Sequence, residues 1–375
     1  MTRADVDAGF MRLALRLAAK GRGRTSPNPM VGALVVAGGR IVGRGYHRRA
    51  GGPHAEVHAL QAAGLRARGA TLYVTLEPCS HRNKRTPPCV PAILASGIRR
   101  VVVPFPDPNP KVQGRGIRRF RRAGIRVDVG CLKTEAAQLN VAYSHRMRAG
   151  LPFVTLKGAI TLDGKMATAT GESRWITGRL ARQHAHGLRC RSDAVLVGVG
   201  TVLRDDPRLT ARVLRNGRER PAPRQPWRVV VDSRLRTPPT ARVLKQTSGS
   251  RVVVVTTTAA PRARVERLQS RGVLVLIVRQ TGGRVSLRAC LKKLVALGAT
   301  SVLIEGGAEV NASALREGVV NRLVLYVAPR LLGGQDAKSF LGGASPRRIT
   351  GAVSLRHIQV RRMGTDLVIQ GDLES

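Results

Sequence analysis

The chain has 375 residues, of which 43% are hydrophobic and 3% aromatic, and its formal net charge at pH 7 is +43. This length favours two domains that each bury a core, and no apolar run approaches the roughly 20 residues of a membrane span. With five cysteines, too few for a disulfide scaffold, and no apolar signal-peptide core, we expect a cytoplasmic protein.

Arginine supplies most of the positive charge. Neutralisation of nucleic-acid phosphates is one interpretation of such a charge. However, the arginines are scattered along the whole sequence, and the aromatic side chains on which bases could stack are scarce. A dedicated nucleic-acid role is therefore disfavoured, whereas phosphorylated small molecules would be attracted to this surface.

The first part of the chain alternates between helical and strand patterns. Apolar residues recur at helical spacing over residues 5–20, and two short strands flank Gly38-Gly39, a hairpin signal. Strands are predicted at 31–36, 40–46, 71–76, 99–104 and 125–129, and further helices at 54–63, 88–96 and 114–123. This alternation predicts a three-layer α/β domain over residues 1–145.

Three residues of this domain have the chemistry of a zinc site: His54, Cys79 and Cys89. One imidazole and two thiolates leave the fourth position of a zinc ion open, as a catalytic site requires. We expect these ligands at helix starts, where the helix dipole favours thiolate. Glu56 is placed to shuttle protons, and H-x-E followed by P-C is typical of hydrolytic deaminases that act on amino-substituted nitrogen heterocycles. A closed structural site would need a fourth ligand, which His81 would have to supply.

Residues 135–148 are predicted as a helix that links to a second α/β domain over residues 150–375. Its Val- and Leu-rich runs fit strands buried on both faces of a largely parallel sheet. Strands are predicted at 153–160, 194–199, 228–231, 251–256, 273–278, 301–304, 323–327, 355–360 and 366–370, and helices at 177–191, 286–297 and 309–317. Residues 204–226 and 236–250 are predicted as polar loops.

Two glycine-rich segments of this second domain are candidates for phosphate binding. Val197-Gly198-Val199-Gly200-Thr201 does not match G-x-G-x-x-G, so the Rossmann fingerprint is absent. Glu305-Gly306-Gly307 lies between a predicted strand and a predicted helix. It therefore predicts either an anion cradle at a helix N-terminus or simple turn glycines.

Several motifs occur together in a specific order. In the first half they are Asn28-Pro29-Met30-Val31-Gly32, His54-Ala55-Glu56, Pro78-Cys79-Ser80-His81, Thr86-Pro87-Pro88-Cys89 and Asp107-Pro108-Asn109-Pro110. In the second half they are Leu162-Asp163-Gly164-Lys165, Gly171-Glu172-Ser173-Arg174-Trp175-Ile176-Thr177, Asp205-Asp206-Pro207-Arg208-Leu209-Thr210 and Glu305-Gly306-Gly307. With these motifs the chain, from about residue 5 to residue 371, resembles the bifunctional deaminase/reductase family of riboflavin biosynthesis. The resemblance implies a cytidine-deaminase-like domain followed by a dihydrofolate-reductase-like α/β domain.

For the first domain the resemblance implies zinc held by His54, Cys79 and Cys89, with Glu56 as the catalytic proton carrier. The substrate would be a diaminopyrimidinone that carries a phosphoribosylamino group and loses its 2-amino group. The residues implied around it are Asn28, His47, Lys84, Asp107 and Asn109. Nine residues separate Cys79 from Cys89, one more than is usual in the family, which leaves open whether Lys84 or Arg85 makes the basic contact.

For the second domain the resemblance implies NADPH and hydride transfer to C1′ of the ribosylamino group. The implied cofactor contacts are Ala159, Trp175, Thr201, Asp205, Ser233, Gly307, Ala308, Glu309, Val310, Asn311, Ala312 and Ser313. The implied substrate contacts are Ser173, Arg189, Leu209, Arg212 and Glu305. Lys157 and Asp205 remain alternative general acids, and a homo-oligomer, dimer or tetramer, is implied.

Two other functions compete with this one. A nucleic-acid deaminase of the tRNA adenosine type shares H-x-E and suits the positive charge. It would usually show C-x-x-C, however, and would leave residues 150–375 unexplained. A catalytically silent binding protein derived from the family is the third hypothesis, and the intact His54, Glu56, Cys79 and Cys89 argue against it.

Overall fold

The computed structural model describes residues 2–81, 86–245 and 249–374. The chain divides into two compact units, Met1–Gly150 and Leu151–Ser375. Among the described residues, no helix combines the length and the apolar character that crossing a membrane requires.

The first unit is built on a five-stranded sheet. Its strands are β1 (Gly32–Ala37), β2 (Arg40–Tyr46), β3 (Thr71–Val74), β4 (Arg100–Val103) and β5 (Arg126–Val129). They lie in the order β2-β1-β3-β4-β5, with β1 antiparallel to β2 and β3, and with β3, β4 and β5 parallel. The predicted hairpin at Gly38-Gly39 is confirmed, since both residues have positive φ, 54° and 76°.

Helices cover both faces of this sheet. They are α1 (Arg3–Ala19), α2 (Ala55–Ala63), α3 (Cys89–Ala95), α4 (Arg115–Arg122), α5 (Lys133–Leu139) and α6 (Val141–Ala149). Met11 and Ala14 of α1 pack on one face of the sheet, and α2, α3 and α4 pack on the other. The predicted three-layer arrangement is confirmed.

Helix α2, which follows His54 and contains Glu56, lies directly on strand β2. A Cβ atom at Gly45 would be 2.1 Å from the carbonyl oxygen of Ala55, so glycine is required at this position. The absence of a side chain there lets the start of α2 approach the strand closely, and this fixes the position of the predicted zinc ligand His54.

The single linking helix predicted over residues 135–148 is wrong. The segment forms two helices, α5 and α6, that meet at Asn140. The Asn140 side chain accepts the Met30 N–H (2.8 Å) and donates to the Met30 carbonyl (2.9 Å). These tertiary bonds, which periodicity does not reveal, place both helices in the first unit.

The second unit is built on a nine-stranded sheet. Its strands are β6 (Phe153–Thr161), β8 (Ala194–Gly198), β11 (Trp227–Val231), β12 (Val252–Thr256), β13 (Leu274–Ile277), β16 (Ser301–Ile304), β17 (Arg322–Ala328), β19 (Leu355–Met363) and β20 (Asp366–Leu373). The order is β13-β12-β11-β8-β16-β6-β17-β20-β19, parallel from β13 to β17 and antiparallel beyond. The largely parallel sheet is confirmed.

Helices and small two-stranded pairs complete the second unit. The helices are α7 (Arg179–Arg191), α8 (Val199–Asp205), α9 (Arg262–Gln269), α10 (Leu287–Ala296) and α11 (Ala308–Arg316). The pairs are β7 (Lys165–Ala167) with β18 (Lys338–Ser339), β9 (Arg212–Arg215) with β10 (Arg218–Pro221), and β14 (Gln280–Thr281) with β15 (Arg284–Val285). The loop predicted over 204–226 therefore contains a hairpin, which turns at Asn216-Gly217 with φ of 51° and 72°.

A candidate zinc site and a candidate cofactor cleft

The three predicted zinc ligands lie together in the first unit. The Nδ1 atom of His54 is 3.5 Å from the Cys79 sulfur and 3.2 Å from the Cys89 sulfur. All three ligand atoms lie within 4.8 Å of one another, and both cysteines are buried. Zinc bonds of about 2.0 Å to nitrogen and 2.3 Å to sulfur fit this spacing, so the donor set suits the ion.

Two of the three predicted ligands lie at the starts of helices. His54 is the N-cap residue of α2 and Cys89 is the first residue of α3, as predicted. Cys79, however, lies in the loop after β3, so its placement at a helix start is wrong. Its carbonyl oxygen accepts the Cys89 N–H (3.1 Å) and its sulfur accepts the same N–H (3.3 Å), so Cys79 caps α3 from outside. His81 does not belong to the ligand cluster found among the described residues.

Glu56 is buried beside these ligands, with 3% of its surface exposed. Burial raises the pKa of its carboxyl group. Within the described part of the chain its Oε2 atom has no hydrogen-bond partner. A buried carboxylate oxygen of this kind needs a ligand or water to satisfy it, which suits a proton carrier next to an open zinc position.

A second set of side chains orients the histidines. The ring nitrogen Nε2 of His54 is 3.2 Å from the Thr86 hydroxyl oxygen, a contact that motif spacing did not reveal. His47, predicted at the substrate, has its ring edge against His54, with centroids 5.3 Å apart. Its Nδ1 lies 3.1 Å from the Pro53 carbonyl and its Nε2 3.2 Å from the Asn28 amide nitrogen. His47 therefore contacts the predicted zinc ligand His54, and Asn28 contacts His47.

A buried glutamate that the sequence did not single out organises the other side of this site. The Glu77 carboxylate accepts the backbone N–H groups of Asp107, Gly114, Gly116 and Ile117 at 2.8–3.2 Å. It thereby fixes the loop of the predicted substrate residues Asp107 and Asn109 to the start of α4.

Asp107 is buried within that loop. It accepts the Tyr143 hydroxyl (3.0 Å) and the Asn109 N–H (2.8 Å). Burial raises the pKa of its carboxyl to about 6, and the negative charges of Glu77 and Cys79 act in the same direction. Asp107 therefore lies close enough to the predicted zinc ligand Cys79 for the charge of that thiolate to raise its pKa. The predicted contact Lys84 and its alternative Arg85 lie outside the described residues.

The second unit contains a cleft of about 730 Å³ at the carboxyl ends of β8, β11 and β16. Ligands of open α/β sheets bind at this edge. The predicted cofactor and substrate residues that line it are Ser173, Thr201, Asp205, Ser233, Gly307, Ala308, Glu309, Val310 and Ser313. Gly306 and Gly307 have φ of 111° and 80° and lead into α11. The first N–H groups of a helix have no partner within the helix, and the two glycines that precede them carry no side chain.

Four residues predicted at the cofactor are not in the lining of this cleft. Asn311 is fully buried and its amide donates to the Phe340 carbonyl (2.9 Å), while Ala312 is 8% exposed. Trp175 is 63% exposed and stacks with the Arg182 guanidinium 4.6 Å from its ring. Ala159 lies in β6.

Two of the predicted substrate residues form a buried ion pair. The Arg189 guanidinium donates to both carboxylate oxygens of Glu305, at 2.6 and 2.7 Å. Burial alone would raise the pKa of Glu305, but the Arg189 charge holds it at about 2. Lys157 adds a further positive charge that acts on Glu305, and burial lowers the pKa of this lysine.

The remaining predicted substrate residues of the second unit are Leu209 and Arg212. Leu209 is 3% exposed within the core and has a φ of 52°, so it offers a ligand mainly its backbone. Arg212 is paired with Glu219 at 2.9 Å. The second candidate general acid, Asp205, lines the cleft, and burial raises the pKa of its carboxyl.

Comparisons with known proteins agree with the division into two units. Residues 4–104 match the cytidine and deoxycytidylate deaminase zinc-binding region, and residues 152–369 match the RibD C-terminal domain. The riboflavin biosynthesis protein RibD of Aquifex aeolicus is 46% identical over 97% of this chain and 98% of its own length. RibD of Escherichia coli is 41% identical over 97% and 98%.

Solved structures show the same likeness over the whole chain. One structure of Acinetobacter baumannii RibD has a TM-score of 0.88 at 38% identity and covers 100% of both chains. The diaminohydroxyphosphoribosylaminopyrimidine deaminase/5-amino-6-(5-phosphoribosylamino)uracil reductase of Thermotoga maritima has a TM-score of 0.85 at 35% identity, with the same coverage.

Proposed function

Because the chain belongs to the RibD family, the bifunctional deaminase/reductases of riboflavin biosynthesis, we propose that its two units divide the two reactions between them. The enzyme is a zinc-dependent deaminase and an NADPH-dependent reductase. The deaminase site is assigned to residues 1–150 and the reductase site to the remainder. The observation that carries this assignment is the cluster of His54, Cys79 and Cys89 next to Glu56, whose Oε2 has no hydrogen-bond partner among the residues that the structure describes.

The deaminase substrate is proposed to be 2,5-diamino-6-(5-phosphoribosylamino)pyrimidin-4(3H)-one, which loses its 2-amino group. Zinc, when bound by His54, Cys79 and Cys89, would make water a nucleophile at neutral pH. Glu56 takes a proton from the attacking water at its Oε2 and delivers protons to the ring nitrogen and to the leaving ammonia. The burial of Glu56 supports this role, since a shielded carboxyl keeps the proton within the site.

The residues proposed to bind this substrate surround the zinc ligands. Asn28 and His47 lie on one side of His54, and Asp107 and Asn109 lie in the loop that Glu77 holds. Lys84 is proposed to make the basic contact with the substrate, with Arg85 as the alternative. His47 Nδ1 lies against the Pro53 carbonyl and its Nε2 against the Asn28 amide nitrogen, so these two contacts pre-orient the pair.

The reductase half is proposed to bind NADPH in the cleft at the carboxyl ends of β8, β11 and β16. The glycine pair Gly306-Gly307 and the start of α11 fit a pyrophosphate, because backbone N–H groups are accessible there. NADPH supplies the hydride, and the protein positions it and excludes water. Hydride addition at C1′ of the ring-opened imine form of the ribosylamino group, with proton addition at the imine nitrogen, gives 5-amino-6-(5-phosphoribitylamino)uracil.

The buried pair of Arg189 and Glu305 is proposed to hold this second substrate. Its two strong hydrogen bonds fix the Glu305 carboxylate in position at the end of β16. Lys157 and Asp205 remain the alternative proton donors. Lys157 is favoured by its closeness to Glu305 and Asp205 by its place in the cleft.

We also infer a homo-oligomer, dimer or tetramer, in the cytoplasm. The outermost strand of the larger sheet, β19, exposes Ile358 and Val360 by 58% and 59%, which suits contact with a second copy. Cys79 and Cys89 must stay reduced to bind zinc, which suits a reducing compartment. Light scattering of the purified protein and of Ile358→Asp tests the first point, and cell fractionation tests the second.

The wild-type protein can be tested with the diaminopyrimidinone ribotide, with and without NADPH. We expect stoichiometric ammonia release in both cases, with NADPH oxidation only after ammonia has appeared. Oxidation of NADPH before any ammonia release would contradict the proposed order of the two reactions. A nucleic-acid deaminase would instead release ammonia from RNA and leave the ribotide unchanged.

A further inference from the structure

Lys157 lies inside the nine-stranded sheet, between two strands that carry polar side chains. It belongs to β6, which pairs with β16 on one side and with β17 on the other. The register of the first pair places Glu305, the residue that follows β16, at the level of Lys157. The register of the second pair places Tyr326 two residues beyond that level on β17, on the same face of the sheet. Lys157 therefore has a carboxylate on one side and an aromatic ring on the other.

The Lys157 ammonium contacts the ring and leaves the carboxylate to another residue. Its Nζ lies over the Tyr326 ring, 5.6 Å from the ring centroid. Over residues 2–81, 86–245 and 249–374, this Nζ makes no hydrogen bond and no ion pair. Both oxygens of Glu305 instead accept hydrogen bonds from Arg189. Because a ring face attracts an ammonium without using an N–H group, the three donors of Lys157 are available to a ligand.

The Tyr326 ring is itself fixed in one orientation. It is 1% exposed and packs with Val324 and Val368 in a small apolar cluster. Its hydroxyl oxygen lies 2.8 Å from Nδ1 of His184 on α7, and the planes of the two rings meet at 65°. A buried aromatic ring that is held by packing at its faces and by a polar partner at its tip cannot turn freely. The ring therefore presents a constant surface to the Lys157 ammonium.

The groups around Lys157 act on its charge in opposite directions. In the described part of the chain these groups are Glu305 after β16, Arg189 of α7 and Tyr326 of β17. Burial lowers the pKa of Lys157, the Arg189 charge lowers it further, and the Glu305 charge raises it. The face of the Tyr326 ring also favours the charged form of the lysine. Removal of the ring would therefore make Lys157 lose its proton at a lower pH.

We propose that Tyr326 is a positioning residue of the reductase, whose ring holds the Lys157 ammonium beside Glu305 with its N–H groups free for the substrate. The inference rests on the reductase site proposed above and favours Lys157 over Asp205 as the proton donor. As the hydride of NADPH adds to C1′, the second electron pair of the C1′=N bond moves to the nitrogen, which takes a proton from Lys157. The lysine amine regains a proton from water, and the cofactor leaves as NADP⁺.

The pH dependence of kcat for NADPH oxidation with the deaminated intermediate tests this role in the full-length protein. A lysine donor loses activity as the pH rises through its pKa. In Tyr326→Leu, which removes the ring, we expect this loss of activity to begin about one pH unit lower, as for the loss of a cation–π contact. Tyr326→Met is a second variant without a ring, in case the first does not fold.

Two control variants separate the ring from the packing around it. Tyr326→Phe keeps the ring and removes only the hydroxyl that contacts His184. Val324→Ala removes packing from the same apolar cluster and leaves the ring in place. We expect both variants to keep the pH dependence of the wild type.

Nuclear magnetic resonance of protein labelled with ¹³C-lysine measures the same effect without substrate. The ε-methylene signal of Lys157 is identified by its absence from Lys157→Met, and its titration gives the pKa of the lysine. We expect the wild type and Tyr326→Phe to titrate together, and Tyr326→Leu to titrate about one pH unit lower.

An unchanged pH dependence in Tyr326→Leu, or an equal shift in Tyr326→Phe or Val324→Ala, would overturn the inference. Oxidation of NADPH by Lys157→Met at the wild-type rate would also overturn it and would leave Asp205 as the donor. A wild type that oxidises no NADPH at any pH would contradict the proposed reductase site itself, and the lysine titration would still decide whether the ring holds Lys157.

Discussion

The His54 imidazole is fixed from both sides, by two sulfurs near Nδ1 and by the Thr86 hydroxyl near Nε2. Partners of this kind orient a histidine ligand, and their loss typically costs 10- to 100-fold in metal affinity. We expect Thr86→Val to weaken zinc binding by about this factor, measured by competition with a chromophoric chelator. Thr86→Ser, which keeps the hydroxyl, should bind zinc like the wild type; equal affinities in the Val and Ser variants would contradict this role.

The ion pair between Arg189 and Glu305 makes the second unit sensitive to acid. Arg189 holds the pKa of Glu305 at about 2, below its ordinary 4.5. A carboxylate with a lowered pKa stabilises the fold fully above pH 4.5, and this contribution is lost as the pH falls from 4.5 toward 2. The contribution is therefore intact at neutral pH.

Glu305→Gln should be less stable than the wild type at pH 7 by about 3 kcal/mol, because it leaves the Arg189 charge buried without its partner. The difference in the free energy of unfolding should shrink by about 2 kcal/mol between pH 7 and pH 3. Urea unfolding of both proteins at several pH values measures it. A difference that does not depend on pH would show that the pair does not titrate as described.

At the scale of secondary-structure elements, Glu77 joins the Asp107 loop to the start of α4 through four backbone N–H groups. Glutamine offers one acceptor oxygen and turns an NH₂ group toward some of these donors. We expect Glu77→Gln to lower the stability of the first unit by about 2–3 kcal/mol. Denaturant unfolding of the zinc-loaded protein measures this change in stability. Glu135→Gln on the exposed face of α5 is the control. An equal loss of stability in both variants would contradict the role of Glu77.

Most elements of the fold could be predicted because their signals are local. Alternation and apolar runs located the strands of both sheets, and Gly38-Gly39 located the first hairpin. The break at Asn140 escaped prediction because it depends on bonds to Met30, 110 residues away. The hairpin β9–β10 was missed because its arginine-rich strands have no apolar face.

In the candidate sites, too, only features with a local sequence signal could be predicted. The candidate zinc ligands His54, Cys79 and Cys89 could be predicted from their chemistry, and the structure brings them together in one cluster. The organising contacts of Glu77 and Thr86, and the pairing of Arg189 with Glu305, join segments far apart in sequence. Only the three-dimensional arrangement reveals such pairs.

At the scale of the whole molecule, each of the two units has its own core and its own candidate ligand. We expect calorimetry to separate two unfolding transitions. NADPH at 100 times its dissociation constant should stabilise the second unit by about 2.7 kcal/mol. Removal of zinc by a chelator should lower the transition of the first unit. A single transition that both ligands shift equally would contradict this division.

The division of labour between the units is tested most directly by the variant Glu56→Gln, which keeps the shape of the side chain and removes its ability to carry protons. Ammonia release from the diaminopyrimidinone ribotide and NADPH oxidation with the deaminated intermediate are measured separately on the same folded preparation. Ammonia release should fall by at least about 100-fold while NADPH oxidation stays at the wild-type rate. Loss of both activities together, or of neither, would contradict the assignment of Glu56 and of two separate sites.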